Sequence, residues 1–495
     1  MNPSVSETVE VVDLLVVGAG VQGAWIAFEA ARTGAKVVLV EREDFGAGTS
    51  ANSLKVLHGG LRYLQHGNLK RIRESRRSVR SVRALAGDFV EDIPFFLETR
   101  GSGVRGKGAM RAALLLYGLL CRIWGDGGPG PAGRVMGGDP ARIVPGGVFS
   151  PGANGVASWK EAVMTNSERV VFEVVRAAEK AGAVCRNYCE VREIEKVSEG
   201  WSARIYDRRD GQSGRVLARA CIEATGPRVE ERLSEGSLSL LRGVNLVFEG
   251  KPLGDQAVGM ESREDTNDPD ALVRRGNRLL FFVPRGNQTM VGTWYDRRES
   301  PDTVVAEEDL AHWLEEIEAV APGMGFVRQN LRYVHSGLLP ADDRLEEAAQ
   351  PAKESAVFRV EPNRLAVRTV KYTTAPEIAR EALEDLGWKL EPRLRSGKRV
   401  HRDVPFPWES LLEAGKGPDE LLLREGVRVE KVFHLADALI RRSNVVLDEE
   451  CSIEEIHRAA ERLGSVLGWT EKECEAEAES VIGKLLIKLP ERLWK

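Results

Sequence analysis

One stretch limits what this chain can fold into more than any other: VDLLVVGAGVQGAWIAFEAARTGAKVVLVE, Val12–Glu41. The apolar run Val11–Val17, interrupted only by Asp13, predicts a buried parallel strand. Gly18, Gly20 and Gly23 follow at once, then a helix to Arg32 stopped by Gly34, then a second apolar strand over Lys36–Val40 that ends in Glu41. In such a unit Gly18 permits the tight turn, Gly20 lets backbone approach a pyrophosphate, and Gly23 lets helix pack closely on strand. The helix N-terminus offers free N–H groups and the positive end of its dipole to phosphates. Glu41, 18 residues past Gly23, is placed to accept hydrogen bonds from a ribose diol. Its charge disfavours a 2′-phosphate. The order of parts therefore predicts a dinucleotide site for NAD or FAD, and the motif alone does not choose between them.

Length and charge set the frame. A chain of 495 residues holds two or three domains by the usual prior, and 42% hydrophobic with 29% charged residues describes a globular protein with ample core. Net charge is −5, so nothing global favours nucleic acid. Of six cysteines only Cys185 and Cys189 are close, at a spacing that fits neither a zinc knuckle nor a redox pair. Reduced structural thiols, no metal site and a cytoplasmic location are expected. MNPSVSETVE lacks the basic start and apolar core of a signal peptide, and no apolar run reaches the roughly 18 residues of a membrane span.

Along the chain, Gly46–Leu64 is rich in glycine and small hydroxyl residues and is expected to be a loop with donors for a ligand. Leu69–Arg83 carries seven basic residues and one acid, with Leu69, Ile72, Val79 and Val82 at helical spacing. A solvated basic face is the plain reading of it; contact with an anionic membrane surface is the sharper one. Ala109–Trp124 is the longest apolar patch and suits a buried or interfacial helix, whereas the glycine- and proline-dense Gly125–Gly147 reads as a surface connection. Thr165–Glu168 has the form of a capping box for a helix to about Ala181. Strands are expected over Ala183–Val197 and Val216–Glu223, the latter running into the turn Ala224–Arg228. Short β-like runs fill Leu241–Gly292, a helix covers Val305–Val320 and a strand Leu331–Leu339. Helical periodicity then dominates over Val427–Arg442, Ser452–Leu467 and Glu471–Leu489.

Several segments carry a resemblance to a known family: GAGVQG, then GTSANSLKVLHGGLRYLQHGNLK, NSERVVFEVVRAAEKAGA, ATGP, FFVPRGNQTMVGT, SGLLP, KYTTAPEIAREALEDL and VEKVFHLADALIRRSNV. In this order, over nearly the whole chain, they resemble the flavin-dependent glycerol-3-phosphate dehydrogenases of the D-amino-acid-oxidase-like flavoprotein superfamily. The resemblance implies an α/β fold. A Rossmann-like FAD-binding domain is assembled from residues 10–95, 151–230 and 335–395. An insertion with an amphipathic helix occupies 96–150, an antiparallel β-sheet substrate domain 231–334, and a helical domain 396–495.

It also implies non-covalent FAD, with Gly18, Gly20 and Gly23 at the pyrophosphate and Glu41 on the ribose. Thr49, Ser50, Ser53, Lys55, Leu57 and His58 would run along pyrophosphate and flavin, Glu190 and Val191 beside the adenine, and Thr225 with Gly226 would close the pocket. Arg62 and Tyr63 match substrate-facing residues, arginine being a fitting bidentate phosphate anchor. Lys371 matches a lysine near flavin and substrate. The chemistry implied is oxidation of a secondary alcohol, with electrons passing to quinone. Peripheral contact at the inner face of the membrane and a homodimer are the implied associations.

Three departures bear on the substrate. Leu339 stands where the family has a phosphate-pairing arginine. Asn245 stands at a family histidine, and Thr369 with Val370 replace a pair of glycines. His335, just before SGLLP, is either a base at neutral pH or a plain strand histidine. The substrate is expected to be a small anionic molecule, glycerol 3-phosphate or a related polyol phosphate. The alternatives are an amine, an amino acid or a hydroxy acid, and a flavin-binding protein without catalysis.

Overall fold

The computed structural model describes residues 9–103, 105–124, 133–144, 146–147, 149–229, 240–265, 277–298, 300–341, 351–352, 355–368, 370–394, 405–415, 417–448 and 451–486. Two large sheets and a helical unit make up the fold. The first sheet has eight strands, six of them in the order Ala356–Glu361, Arg364–Arg368, Ser213–Glu223, Val9–Val17, Val37–Val40 and Val184–Arg186. Pairing within the inner five is parallel. The hairpin Cys189–Val197 and Gly200–Asp207 joins antiparallel through Ser213–Glu223. Side chains of the first strand alternate, as a strand buried on both faces requires. Leu14 and Val16 pack on a helical layer of Val21–Ala31, Ser167–Lys180 and Ala375–Asp385, while Leu15 and Val17 pack on Trp201, Ala203 and Ile205 of the hairpin.

Register decides where a ligand can sit. Val17 lies opposite Val40 on one side and Glu223 on the other, so Gly18, Glu41 and Ala224 come together just past the carboxyl ends of three adjacent parallel strands. The chain leaves the first strand toward Val37–Val40 and later returns on its other side, which makes this the switch point where open α/β sheets bind ligands.

The second sheet has nine strands. Leu331–Pro340, Leu240–Glu249, Gln288–Arg298, Asn277–Arg285 and Ala257–Asp265 continue into Val90–Arg100, Ala153–Met164 and Val56–Leu57, with Arg134–Gly137 on Ala153–Met164. All pairs are antiparallel except Ala257–Asp265 with Val90–Arg100. One face is covered by the helix Glu307–Val320, whose Leu310, Trp313 and Ile317 bury against Val244, Leu246 and Phe282. Helices Glu420–Glu430, Ile453–Leu467 and Glu471–Leu486 form the C-terminal unit around Trp408, Leu435, Leu439 and Leu463.

Several local expectations are corrected. The cap of helix Ser167–Lys180 is Asn166, whose side chain accepts from Arg169 N–H; Glu168 is buried on Lys55 instead. Ala183–Val197 is two strands, because Val184–Arg186 pairs in the main sheet and the chain then turns at Tyr188, φ 56°. Val427–Arg442 is broken at Lys431, φ 52°, and resumes as a π-helical turn over Asp437–Arg442. Within the supposed surface connection, Arg134–Gly137 is a strand and Pro140–Ile143 a helical turn; residues 125–132 lie outside the described residues.

Candidate functional site

A cavity of about 2030 Å³ runs from the switch point along the loop after Glu41 to the uncovered face of the second sheet. Glycine geometry defines its first end. Gly18 has φ +95°, and a Cβ there would meet Ala224 O at 2.7 Å; a Cβ on Gly23 would lie 1.8 Å from Gly18 O. Gly20 precedes a helix that no side chain of its own cap position closes, and Val21 N–H donates to Ser50 Oγ at 3.0 Å. Each oxygen of Glu41 accepts one backbone N–H, from Ala19 at 2.7 Å and Glu43 at 3.0 Å, leaving lone pairs for a diol. Burial pushes its carboxyl up. Thr225 Oγ1 is buried beside Gly18 with no partner among the described residues, and Gly226 follows with φ +67°. A helix end with no cap from Gly20 itself and a hydroxyl without a partner among the described residues offer donors, and the Glu41 carboxylate offers acceptors, on one wall; that is the set a dinucleotide needs, so the residues present fit it. Glu190 and Val191 line the same end.

The loop divides into lining and support. Thr49 hydroxyl donates to Leu338 O at 2.8 Å and ties the loop to the second sheet. Ser53 Oγ accepts from Lys55 N–H at 3.2 Å, and Ser50, Ser53 and His58 border the cavity. Lys55 is a different case. Its ammonium is buried on Glu168 and Ser167 Oγ, both at 2.9 Å, and on Ala51 O at 3.2 Å, so it braces the loop rather than reaching for a ligand. Leu57 also turns away, into the core beneath the helical layer, paired with Ala162.

At the far end the fold brings together Tyr63 and Lys371. Lys371 Nζ donates to the Tyr63 hydroxyl and lies 4.6 Å from its ring centroid; Arg71 stacks on the same ring at 5.7 Å. The side chain of Arg62 lies outside the described residues, as does Thr369. Val370 lines the cavity. His335 is buried on strand Leu331–Pro340, directly opposite Asn245, with its ring edge-on to Tyr333 at 5.1 Å. Asn245 Oδ1 accepts from the Thr293 hydroxyl at 2.6 Å. Leu339 also borders the cavity, two places along the strand from Gly337, whose close approach to Asn52 and Thr49 joins sheet and loop.

Sequence reasoning missed three groups. Glu161 lines the cavity, accepts from Gly59 N–H at 2.6 Å and Trp159 Nε1 at 3.0 Å, and is pushed up to about 7 by burial. Arg71 belongs to the helix read as a solvated basic face, and only its tertiary position aims it at Tyr63. Third, the C-terminal unit reaches the nucleotide end. Asp44 accepts from Arg441 at 2.7 Å, Arg442 at 2.7 and 2.9 Å and Asn187 at 2.8 Å, while Tyr188 donates to Asp437 at 2.6 Å. The doubled arginine in LIRRSNV was the available signal for that junction.

Comparison with known proteins agrees with this geometry. Residues 13–368 match the family model described as FAD dependent oxidoreductase. A glycerol-3-phosphate dehydrogenase of Synechocystis sp. is 27% identical over 350 residues, 66% of this chain and 60% of that protein. An aerobic glycerol-3-phosphate dehydrogenase of Staphylococcus epidermidis is 26% identical over 398 residues, 77% of this chain and 67% of that protein. Among solved structures, the Bacillus halodurans glycerol-3-phosphate dehydrogenase complexed with FAD superposes with a TM-score of 0.72 at 19% identity, covering 98% of this chain and 96% of that one. Glycine oxidase from Geobacillus kaustophilus shares the fold at a TM-score of 0.51 and 17% identity, over 80% of this chain and all of its own.

Proposed function

The chain belongs to the FAD dependent oxidoreductase family, its cofactor is FAD, and from that premise we propose a dehydrogenase of glycerol-3-phosphate type. Its substrate is a secondary alcohol bearing an anionic group, glycerol 3-phosphate or a related polyol phosphate. The observation that carries this reading is the Lys371–Tyr63 pair, from positions 308 residues apart, set on the cavity at the end of the flavin loop. Bound without a covalent link, FAD would supply the hydride acceptor that oxidation of the carbinol carbon needs. Gly18, Gly20, Gly23, Glu41, Ser50, Thr225 and Gly226 hold the nucleotide and pyrophosphate. Lys371, with Arg71 behind Tyr63, attracts and orients the anionic group, and Arg62 is a second anchor. His335 accepts the hydroxyl proton at a ring nitrogen. Electrons pass on to quinone.

The purified protein is expected to be yellow, and glycerol 3-phosphate is expected to bleach its flavin anaerobically. A yellow protein that ignores it while an amino acid or a hydroxy acid bleaches the flavin would overturn the substrate assignment. Such a second reading is supported by Leu339 and Asn245, which offer the cavity neither a cation nor an imidazole at two bordering positions.

We place the enzyme in the cytoplasm as a homodimer, peripheral on the inner face of the membrane. No helix among the described residues is long and apolar enough to cross one. Helix Lys107–Ile123 instead turns Leu115, Leu116, Leu119 and Ile123 outward, with Arg111 and Arg122 exposed on the same helix.

A further inference from the structure

The geometry points to Glu161 as a positioning residue: with Tyr117 it clamps the Gly59 backbone and so sets the turn that presents His58 and Tyr63 to the cofactor cavity. That role in turnover rests on the proposed flavin chemistry, but the clamp itself stands apart from it. Gly59 N–H donates to Glu161 Oε2 at 2.6 Å, and the Tyr117 hydroxyl donates to Gly59 O at 2.6 Å. One residue is thus held at both its backbone polar groups, the N–H by strand Ala153–Met164 and the C=O by helix Lys107–Ile123. The clamp is close enough to demand glycine. A Cβ on Gly59 would lie 2.5 Å from the Tyr117 oxygen, and one on Gly60, φ +96°, would lie 2.9 Å from Ile72 Cα. The turn is therefore pressed between three elements, and it leads directly into Leu61–His66, where Tyr63 meets Lys371.

The carboxylate is buried and faces a defined set of groups. Trp159 Nε1 donates to its other oxygen at 3.0 Å. Arg76, from helix Leu69–Ala86, acts on both Glu161 and Tyr117; Asp92 opposes it from Val90–Arg100, and Cys121 lies beyond Tyr117 on its own helix. Burial outweighs the Gly59, Trp159 and Arg76 contributions and pushes the group up to about 7. The closed turn thus holds the proton better than an opened, solvated one, and deprotonation above that pH leaves an unfavourable charge on the buried carboxyl. The turn is consequently held more firmly on the acid side of neutrality and loosens as pH rises through about 7.

Amide exchange of the peptide spanning residues 57–64 tests this in the purified holoprotein, corrected for the intrinsic pH dependence of exchange. Protection is expected to fall, as pH rises, through an inflection near pH 7. In Glu161→Gln the inflection disappears and exchange below about pH 7 is about tenfold faster than in the wild type, while peptides from helix Val21–Ala31 do not change. Tyr117→Phe, which removes one hydroxyl and keeps the ring, raises exchange in the same peptide and retains the inflection. If Glu161→Gln keeps both protection and inflection, or if Tyr117→Phe leaves the peptide unchanged, the clamp is refuted. Flavin absorbance read on the same samples separates the two ideas. A colourless protein with the inflection overturns the flavin reading alone, and a yellow one without it overturns the clamp alone.

Discussion

Thr225 and Gly23 show how far single atoms decide this site. The Thr225 hydroxyl is buried without a partner among the described residues, so Thr225→Val is expected to leave the FAD-free protein as stable or about 1 kcal/mol more stable. The same change is expected to weaken FAD retention, measured by dialysis and flavin fluorescence; equal retention would remove Thr225 from the pocket. Gly23→Ala drives a methyl against Gly18 O and is expected to cost about 1–3 kcal/mol in urea melts together with most bound flavin. Lys371→Met is expected to lower kcat/KM for the anionic substrate about 10–100-fold with flavin retained, since a charged contact is lost. Glu161 gives a pH dependence with a definite sign. Its folded value is raised from 4.5 to about 7, so the folded state holds the proton longer than the unfolded chain. Stability is therefore full below pH 4.5 and falls as pH rises through 7, by about 3 kcal/mol in all. Melts at about pH 5 and 8 should show that loss in the wild type and a smaller one in Glu161→Gln.

At the scale of elements, the Val12–Glu41 unit was legible because every part of it is local. Strand, turn glycines, helix and terminal acid follow one another, and each is recognised by its own neighbours. Strands Val90–Arg100 and Ala153–Met164 were not, although they pair over nearly their whole lengths. Their partners lie far off in sequence, and the acids and Pro94 in the first of them mask its alternation. Glycine-rich Gly46–Leu64 was seen as a ligand loop, but its lysine was assigned to the ligand. The residue that claims it, Glu168, is 113 positions away. Helix Lys107–Ile123 was expected as buried or interfacial; its inner face packs Leu114 and Tyr117 while its outer face is apolar. Leu115→Glu with Leu119→Glu is expected to alter stability by no more than about 0.5 kcal/mol per site and to abolish sedimentation with anionic liposomes. Undiminished sedimentation would show that this helix is not the lipid contact.

On the scale of the whole molecule, the C-terminal unit is fastened to the nucleotide end through Asp44, Arg441, Arg442 and Asp437. Burial alone would raise the Asp44 carboxyl, but the two guanidiniums hold it well below the ordinary 3.8. This junction therefore contributes stability above pH 3.8 and loses it as the pH falls toward the folded value, opposite in sign to Glu161. Asp44→Asn takes from buried Arg442 the carboxylate it pairs with and leaves Arg441 to Asp437 alone; it is expected to cost about 3–5 kcal/mol at neutral pH, with Glu420–Leu486 melting or being proteolysed first. The sequence by itself determined the cofactor end, because phosphate, ribose and turn are served by residues within one supersecondary unit whose spacing is set by helix and strand geometry. The far end was decided only by tertiary structure. Tyr63 meets Lys371 across 308 residues, Asn245 faces His335 across a sheet register, and Glu161 reaches Gly59 from another strand. No spacing rule links such positions. Their contacts exist because long-range pairing sets the carboxyl ends of one open sheet and one face of the other beside the same loop.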